Sequence, residues 1–145
     1  LIPSEDYPQG NQDFSLKFSM KSFRDEVMDA RTFLSKKEAD YLLSAGLCQR
    51  VSQRDVLVLT PDGPIDNNYR YDNECARHKV VDMVGDFSLT DCDWVGVFES
   101  YRGGHALNAE CMRQLLDNTI LLDESFIPQN SDLMLIKRAM QNRAA

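Results

Sequence analysis

A stretch of residues with helical periodicity near the middle of the chain constrains the fold more than any other feature. The spacing predicts one helix over residues 73–87, because apolar residues recur there on one side of a helical turn. That apolar stripe consists of Val80, Val81, Val84 and Phe87. The other side carries three ionisable residues, each four positions apart: His78, Asp82 and Asp86. We therefore expect the stripe to pack on the domain while the imidazole and the two carboxylates face a cleft.

The other apolar patterns predict an α+β domain, in which a small sheet has helices packed on one face. Strict alternation predicts a half-buried strand over residues 14–20. Apolar runs predict a strand over residues 56–59, ended by a turn at residues 61–64, and a central strand over residues 94–101. Strands and helices alternate without a regular βαβ rhythm, which favours this α+β class.

Helix signals lie between and after these strands. Ser35 as N-terminal cap and Gly46 as terminator predict a helix over residues 36–45. Another helix is expected to begin at about His105, and a last amphipathic segment covers residues 132–140.

Length, charge and cysteine spacing bound the function class. A chain of 145 residues fits one domain, and its net charge of −7 without a long basic run argues against a nucleic-acid partner. The four cysteines include no pair spaced by two residues, so we expect reduced thiols in the cytoplasm. No apolar run is long enough to predict a transmembrane segment. Residues 1–13 are polar and contain prolines, which is typical of a linker or a fragment boundary.

The chain has two histidines, His78 and His105. The residues around each of them are of the kinds that bind a metal ion or transfer a proton. His78 and Asp82 offer two zinc ligands on one helical face. The glycines at residues 103–104 allow close backbone approach and place His105 at the start of a helix, either as a third ligand or as an acid–base group. If Asp86 faces His105, we expect it to hold a protonated imidazole. The alternative is a surface charge pair worth about 0.5 kcal/mol.

Three ordered motifs resemble one enzyme family. They are Ala-Arg-Thr-Phe at residues 30–33, Arg-His-Lys-Val-Val-Asp-Met-Val-Gly-Asp at residues 77–86, and Gly-His-Ala-Leu-Asn at residues 104–108. Together with Tyr41-Leu42, Ser44 and Gly46-Leu47-Cys48, they resemble the second, C-terminal domain of the zinc-dependent UDP-3-O-acyl-N-acetylglucosamine deacetylases, which carry out the committed step of lipid A biosynthesis. The resemblance covers roughly residues 14–116.

The resemblance implies a role for each matched residue. His78 and Asp82 would be zinc ligands, and His105 would be the charged acid beside the leaving amine. Asp86 would orient His105, and the Thr32 hydroxyl would help to bind the oxyanion. Because imidazole and carboxylate also bind Fe²⁺, iron is an alternative to zinc.

Substrate contacts are implied in the same way. Lys79 matches a lysine near the diphosphate of the UDP-linked acylated glucosamine. Phe33 and residues 36–52, which include Cys48 and Ser52, match an inserted helical segment that forms an apolar passage for the acyl chain. The alternatives are a helix-end hydroxyl for Thr32, a solvated position for Lys79 and a core position for Phe33.

The sequence departs from the family pattern at several places. Leu34 stands where the family usually has glycine, residues 49–52 replace a Gly-Gly-Ser, and Arg102-Gly103 replaces Lys-Ser. The third zinc-binding histidine and the glutamate base of the family come from an N-terminal domain, which this chain does not contain. Residues 14–145 are therefore interpreted as the C-terminal domain of a two-domain deacetylase, inactive in isolation.

Two other hypotheses remain open. One is a non-catalytic module of the same fold that binds a nucleotide-sugar lipid or a protein partner. The other is an unrelated metal-dependent hydrolase in which His78, Asp82 and His105 are all ligands.

Overall fold

A computed structural model of the chain describes residues 10–118 except 53 and 91. The helices are α1 (Met20–Glu26), α2 (Lys36–Ser44), α3 (Glu74–Phe87) and α4 (His105–Asn118), and the strands are β1 (Thr32–Ser35), β2 (Val56–Thr60) and β3 (Gly63–Pro64). This arrangement confirms the predicted α+β class. The predicted segment at residues 132–140, and residues 1–9 of the predicted linker, lie outside the described residues. Within residues 10–118, no described helix has the length and apolarity needed to cross a membrane.

The sheet has the strand order β1-β2-β3. Strands β1 and β2 are parallel, with Thr32 opposite Val56, and β3 pairs with β2 in antiparallel orientation. Parallel neighbours need a long crossover, and α2 supplies it. Strand β2 alternates between buried and half-buried residues, so that Leu57 and Leu59 enter the core beside Cys75 of α3.

The ends of α2 follow the predicted signals. Ser35 accepts a hydrogen bond from the Glu38 backbone N–H, and the Glu38 carboxylate accepts one from the Ser35 N–H, which forms a capping box. Gly46 has a φ of 74°, the left-handed conformation that commonly follows a helix. The predicted helices at residues 73–87 and from His105 are likewise confirmed as α3 and α4.

The predicted strand over residues 14–20 is wrong. Residues 14–19 form neither helix nor strand, and α1 begins at Met20 with Ser19 as its cap. The aromatic side chains that produced the alternating pattern find other partners. Phe14 packs on the guanidinium of Arg77, 4.2 Å from its ring centroid, and Phe18 packs on Phe23. The segment is therefore held by α1 and α3 and not by a neighbouring strand.

The predicted central strand over residues 94–101 is also wrong. That segment has no regular structure, and Val97 is 91% exposed instead of buried. Two of its aromatic residues still have partners: the half-buried Trp94 donates from its indole to Thr90, and Phe98, 38% exposed, meets the edge of Phe87. The sheet instead gains β1, a strand that the sequence patterns did not predict.

The apolar stripe of α3 is only half-buried, which differs from the expectation. The fully buried residues of this helix are Glu74, Cys75 and Ala76 in its first turn. The first turn of α3, next to β1, is therefore the part of the helix most firmly enclosed by the domain.

Candidate active site

His78 lies on α3 against the polypeptide that leads into β1. Its Nδ1 is 2.9 Å from the Ala30 carbonyl oxygen. Since a carbonyl oxygen only accepts hydrogen bonds, Nδ1 is the nitrogen that carries a proton. In the neutral ring the lone pair then belongs to Nε2, which lies 3.1 Å from Asp82 Oδ1 and 3.1 Å from Thr32 Oγ1. The ring thus presents Nε2 to a carboxylate and a hydroxyl.

Asp82 joins His78 to Lys79. Its Oδ1 faces the imidazole, and its Oδ2 accepts a hydrogen bond of 2.9 Å from Lys79 Nζ. Burial alone would raise the pKa of Asp82, but the hydrogen bonds and positive charge from His78 and Lys79 outweigh burial and lower it to about 2. Asp82 is therefore ionised at neutral pH, as a metal-binding carboxylate must be.

The pKa of His78 is raised in the folded protein. Burial disfavours the imidazolium, but the hydrogen bonds to Asp82 and to the Ala30 carbonyl outweigh burial. In the imidazolium form Nε2 also carries a proton, which it donates towards Asp82, so a cation that binds Nε2 would displace that proton.

Phe33 and Lys79 form the wall beside His78. The Phe33 ring packs against the core of β2 and meets the His78 ring at an edge-to-face angle, with 6.2 Å between centroids. Lys79 Nζ lies 5.1 Å from the centroid of the Phe33 ring. Phe33 is thus partly buried against the core and lies beside His78, while its assignment to an acyl passage stays a prediction.

His105 is docked on α3 by Asp86. Its Nδ1 lies 3.0 Å and 2.9 Å from the two carboxylate oxygens of Asp86. Asp86 also accepts a hydrogen bond of 2.8 Å from the side-chain amide of Asn108, one helical turn after His105 on α4. The His105 side chain is 70% exposed and that of Asp86 is 18% exposed, so the far edge of the imidazole faces solvent while its near edge is fixed.

Residues 78, 82 and 86 share one face of α3, as predicted. Asp82 and Asp86 stand one turn apart, a rise of about 6 Å along the axis. Two pairs therefore follow each other along this face: His78 with Asp82, then Asp86 with His105. Asp86 thus faces His105, which is the condition under which a protonated imidazole is expected.

His78 and Asp82 fit two positions of a zinc site. Two donors on one tetrahedral zinc ion lie roughly 3.4 Å apart at the usual bond lengths. His78 Nε2 and Asp82 Oδ1 are 3.1 Å apart and on the same side of α3. In the part of the chain that the structure describes, no group of three or more potential ligands comes together. The described residues thus offer two ligands, and His105 is engaged with Asp86.

Cys48 and Ser52 are not brought to His78 by any contact in the described residues. Cys48 is exposed in the loop after α2, with a left-handed φ of 56°. The Ser52 hydroxyl donates to Asp55 Oδ2 at 2.7 Å and closes a turn before β2. Their assignment to an acyl passage stays a prediction.

Three residues of this region were missed by sequence reasoning. The spacing could have revealed Asn108, because it lies three residues after His105 and therefore on the same face of α4. Arg31 and Glu74 form a buried ion pair beneath His78, with Nε–Oε1 at 2.8 Å. Glu74 lies four residues before His78, but nothing in the sequence shows which arginine it binds.

The chain matches one family model. The model for UDP-3-O-acyl N-acetylglycosamine deacetylase matches residues 2–117. Proteins named UDP-3-O-acyl-N-acetylglucosamine deacetylase from Brucella ovis, Brucella canis and Brucella melitensis are each 40% identical over 111 residues. Each alignment covers 75% of this chain and 39% of the relative. The chain therefore spans about two fifths of the length of these curated relatives.

Proposed function

The chain belongs to the UDP-3-O-acyl N-acetylglycosamine deacetylase family, and from this premise we propose that it is part of an enzyme that removes the N-acetyl group of UDP-3-O-acyl-N-acetylglucosamine. The observation that carries the proposal is the face of α3, on which His78 and Asp82 are followed by Asp86 and the docked His105. The named relatives support the substrate class. The shared length of 39% supports a division of the site between this chain and further sequence.

The proposed metal is zinc, with Fe²⁺ as the alternative, held by His78 Nε2 and Asp82 Oδ1. When bound, such an ion would polarise the amide carbonyl and lower the pKa of a water molecule. The third histidine ligand and the glutamate base are assigned to an N-terminal domain, as the family resemblance implies. Because only two ligands lie in the described residues, this chain alone is expected to hydrolyse no substrate.

Proton delivery is assigned to His105. Hydrolysis breaks the bond between the acetyl carbon and the sugar nitrogen, and that nitrogen must gain a proton to leave as an amine. His105 Nδ1 is held by Asp86, so Nε2 is the atom that donates. Asp86 is itself held by Asn108, which leaves the imidazole one orientation from which to reach the leaving group.

Thr32 and Lys79 are assigned to bind negatively charged groups of the substrate. The Thr32 residue is exposed and its hydroxyl lies 3.1 Å from His78 Nε2, which supports its assignment as a hydrogen-bond donor to an oxyanion beside the metal. Lys79 is partly exposed above Phe33 and is assigned to the diphosphate end.

The acyl passage is assigned to Phe33 and residues 36–52, including Cys48 and Ser52. Several large apolar side chains of this segment are exposed, namely Tyr41, Leu43, Leu47 and Val51. Exposed apolar residues in one short segment are typical of a surface that receives an apolar ligand.

The proposal is tested with His105→Gln in the complete protein that contains this chain. We expect kcat for deacetylation to fall by roughly 10²- to 10⁴-fold, the usual contribution of a positioned acid. Asp117→Asn, on an exposed position of the same helix, is the matched control and should keep the wild-type rate. A His105→Gln enzyme that deacetylates at nearly the wild-type rate would contradict the assignment. A wild-type protein that binds the nucleotide-sugar lipid without hydrolysing it would favour the non-catalytic module.

A further inference from the structure

One peptide group connects a buried ion pair to the ring of His78. This is the peptide between Ala30 and Arg31. Its N–H donates to Glu74 Oε1 at 3.0 Å, and its carbonyl accepts from His78 Nδ1 at 2.9 Å. Glu74 and His78 lie one turn apart on α3, so both ends of the peptide are fastened to the same helix. Because a peptide group is planar, holding its N–H also fixes the direction of its carbonyl.

Glu74 is held at both carboxylate oxygens. Its side chain is 0% exposed, and Oε1 accepts from Arg31 Nε at 2.8 Å as well as from the Arg31 backbone. Oε2 accepts from Arg31 Nη2 at 3.1 Å and from the Arg70 backbone N–H at 2.6 Å. Burial would raise the pKa of Glu74, but these hydrogen bonds outweigh it and lower the pKa, so the carboxylate stays charged.

Arg31 is equally constrained. Besides Glu74, its guanidinium donates to Asn67 Oδ1 at 2.9 Å and to the Asn68 carbonyl at 2.7 Å. The side chain is only 7% exposed. A buried, bidentate ion pair of this kind has a single arrangement. It therefore also fixes the positions of the neighbouring residues Ala30 and Thr32.

We propose that Arg31 and Glu74 are positioning residues for His78: through the Ala30–Arg31 peptide they fix the imidazole with its proton on Nδ1 and Nε2 directed at Asp82. The part of this inference that concerns metal affinity rests on the proposed function. A fixed acceptor at Nδ1 sets both the tautomer and the rotation of the ring, which are the two properties that a nitrogen ligand needs. The same pair sets the position of Thr32, whose hydroxyl lies beside Nε2.

The first measurement needs no substitution. Nitrogen NMR on the complete wild-type protein, without metal and at a pH above the pKa of His78, should show the proton of His78 on Nδ1. His78→Gln assigns the signal by its disappearance. A proton found on Nε2, or rapid exchange between both nitrogens, would overturn the inference.

The second measurement compares three variants. Arg31→Lys keeps the positive charge but removes the guanidinium that binds both oxygens of Glu74. Glu74→Gln keeps the shape of the side chain but removes its negative charge. Both should reduce zinc affinity by about 10- to 100-fold and mix the two tautomers of His78. Leu59→Ala is the control, because Leu59 is buried in β2 and is paired with Ser35, at the end of β1 away from Thr32. It should lower the unfolding temperature while zinc affinity and the His78 signals stay unchanged.

The outcomes separate this inference from the proposed function. If the wild-type protein binds no zinc, the metal assignment fails, and the tautomer of His78 in wild type and Arg31→Lys still decides the positioning role. If both variants only lower the unfolding temperature, as Leu59→Ala does, Arg31 and Glu74 have a structural role and the inference is wrong. If Glu74→Gln does not fold, Arg31→Lys and the wild-type spectrum carry the decision.

Discussion

The two ends of α3 hold polar groups in opposite ways. At its beginning, Glu74 is fully buried and every neighbour that binds it belongs to the domain itself. Near its end, Asp86 fixes one edge of His105 and leaves 70% of that side chain exposed. His78 and Asp82 lie between these extremes. Along this one helix the polar groups therefore change from a fully buried ion pair to an accessible imidazole.

This gradient separates stability from chemistry. A buried charge that loses its partner destabilises the fold. Removal of an exposed imidazole changes folding stability little and affects the molecules that the imidazole would contact. Variants at the start of α3 should therefore change unfolding first, and variants near its end should change turnover first. Each prediction below would break or sharpen that contrast.

The largest effect is expected for Glu74→Ala. It leaves the Arg31 guanidinium buried without a counter-charge, which should reduce the free energy of unfolding by about 3–5 kcal/mol. Urea unfolding measures the change. Glu110→Ala, which removes an exposed partner of Arg113 on α4, is the control and should leave unfolding unchanged. A Glu74→Ala protein as stable as the control would contradict the role of Glu74 as a structural anchor of α3.

A smaller, kinetic effect is expected for Asp86→Asn. His105 Nδ1 would lose the carboxylate that holds it, so kcat of the complete enzyme should fall by roughly 10- to 100-fold, part of what a positioned acid contributes. Unfolding should change little, because Asp86 is partly exposed. A large loss of stability with normal kcat would reverse the contrast between the two ends of α3.

Asn108→Ala should have a milder effect of the same kind. It removes one hydrogen bond to Asp86 and should lower kcat by about threefold to tenfold, the equivalent of one such bond. In the double variant with Asp86→Asn, the two losses should not add, since both act on the orientation of His105. Full additivity in that double-mutant cycle would show that Asn108 acts elsewhere.

The smallest effect concerns acid stability. The pKa of Glu74 is lowered in the folded protein, so its contribution to stability is present above the pKa of the unfolded chain and is lost as the pH falls through the folded value. The unfolding temperature of the wild type should therefore decline on acidification more steeply than that of Glu74→Gln. Parallel curves would mean that Glu74 is not stabilised as a carboxylate.

Local patterns predicted the helices well. The cap at Ser35, the left-handed Gly46 and the spacing of residues 73–87 each depend on neighbours a few positions away, and the structure has all three. The cap, the glycine and the helix spacing needed no knowledge of distant contacts. The contact of His105 with Asp86 spans 19 positions, and only the family resemblance implied it.

Long-range pairing explains the failures. The alternation at residues 14–20 depended on Phe14 and Phe18, whose partners proved to be Arg77 and Phe23. The apolar run at residues 94–101 lies largely exposed, because no described strand pairs with it. Strand β1 has only two apolar residues, Phe33 and Leu34, so it lacks the apolar run that revealed β2, and it is a strand because it pairs with β2. The ion pair of Arg31 with Glu74 spans 43 positions and has no local signature.

The most direct test of the central claim is a zinc titration of the complete protein in three forms. If the first pair on α3 binds the metal and the second pair handles the proton, His78→Gln should abolish stoichiometric zinc binding. His105→Gln should bind zinc as tightly as the wild type does. Loss of zinc in His105→Gln, or its retention in His78→Gln, would contradict that division of roles.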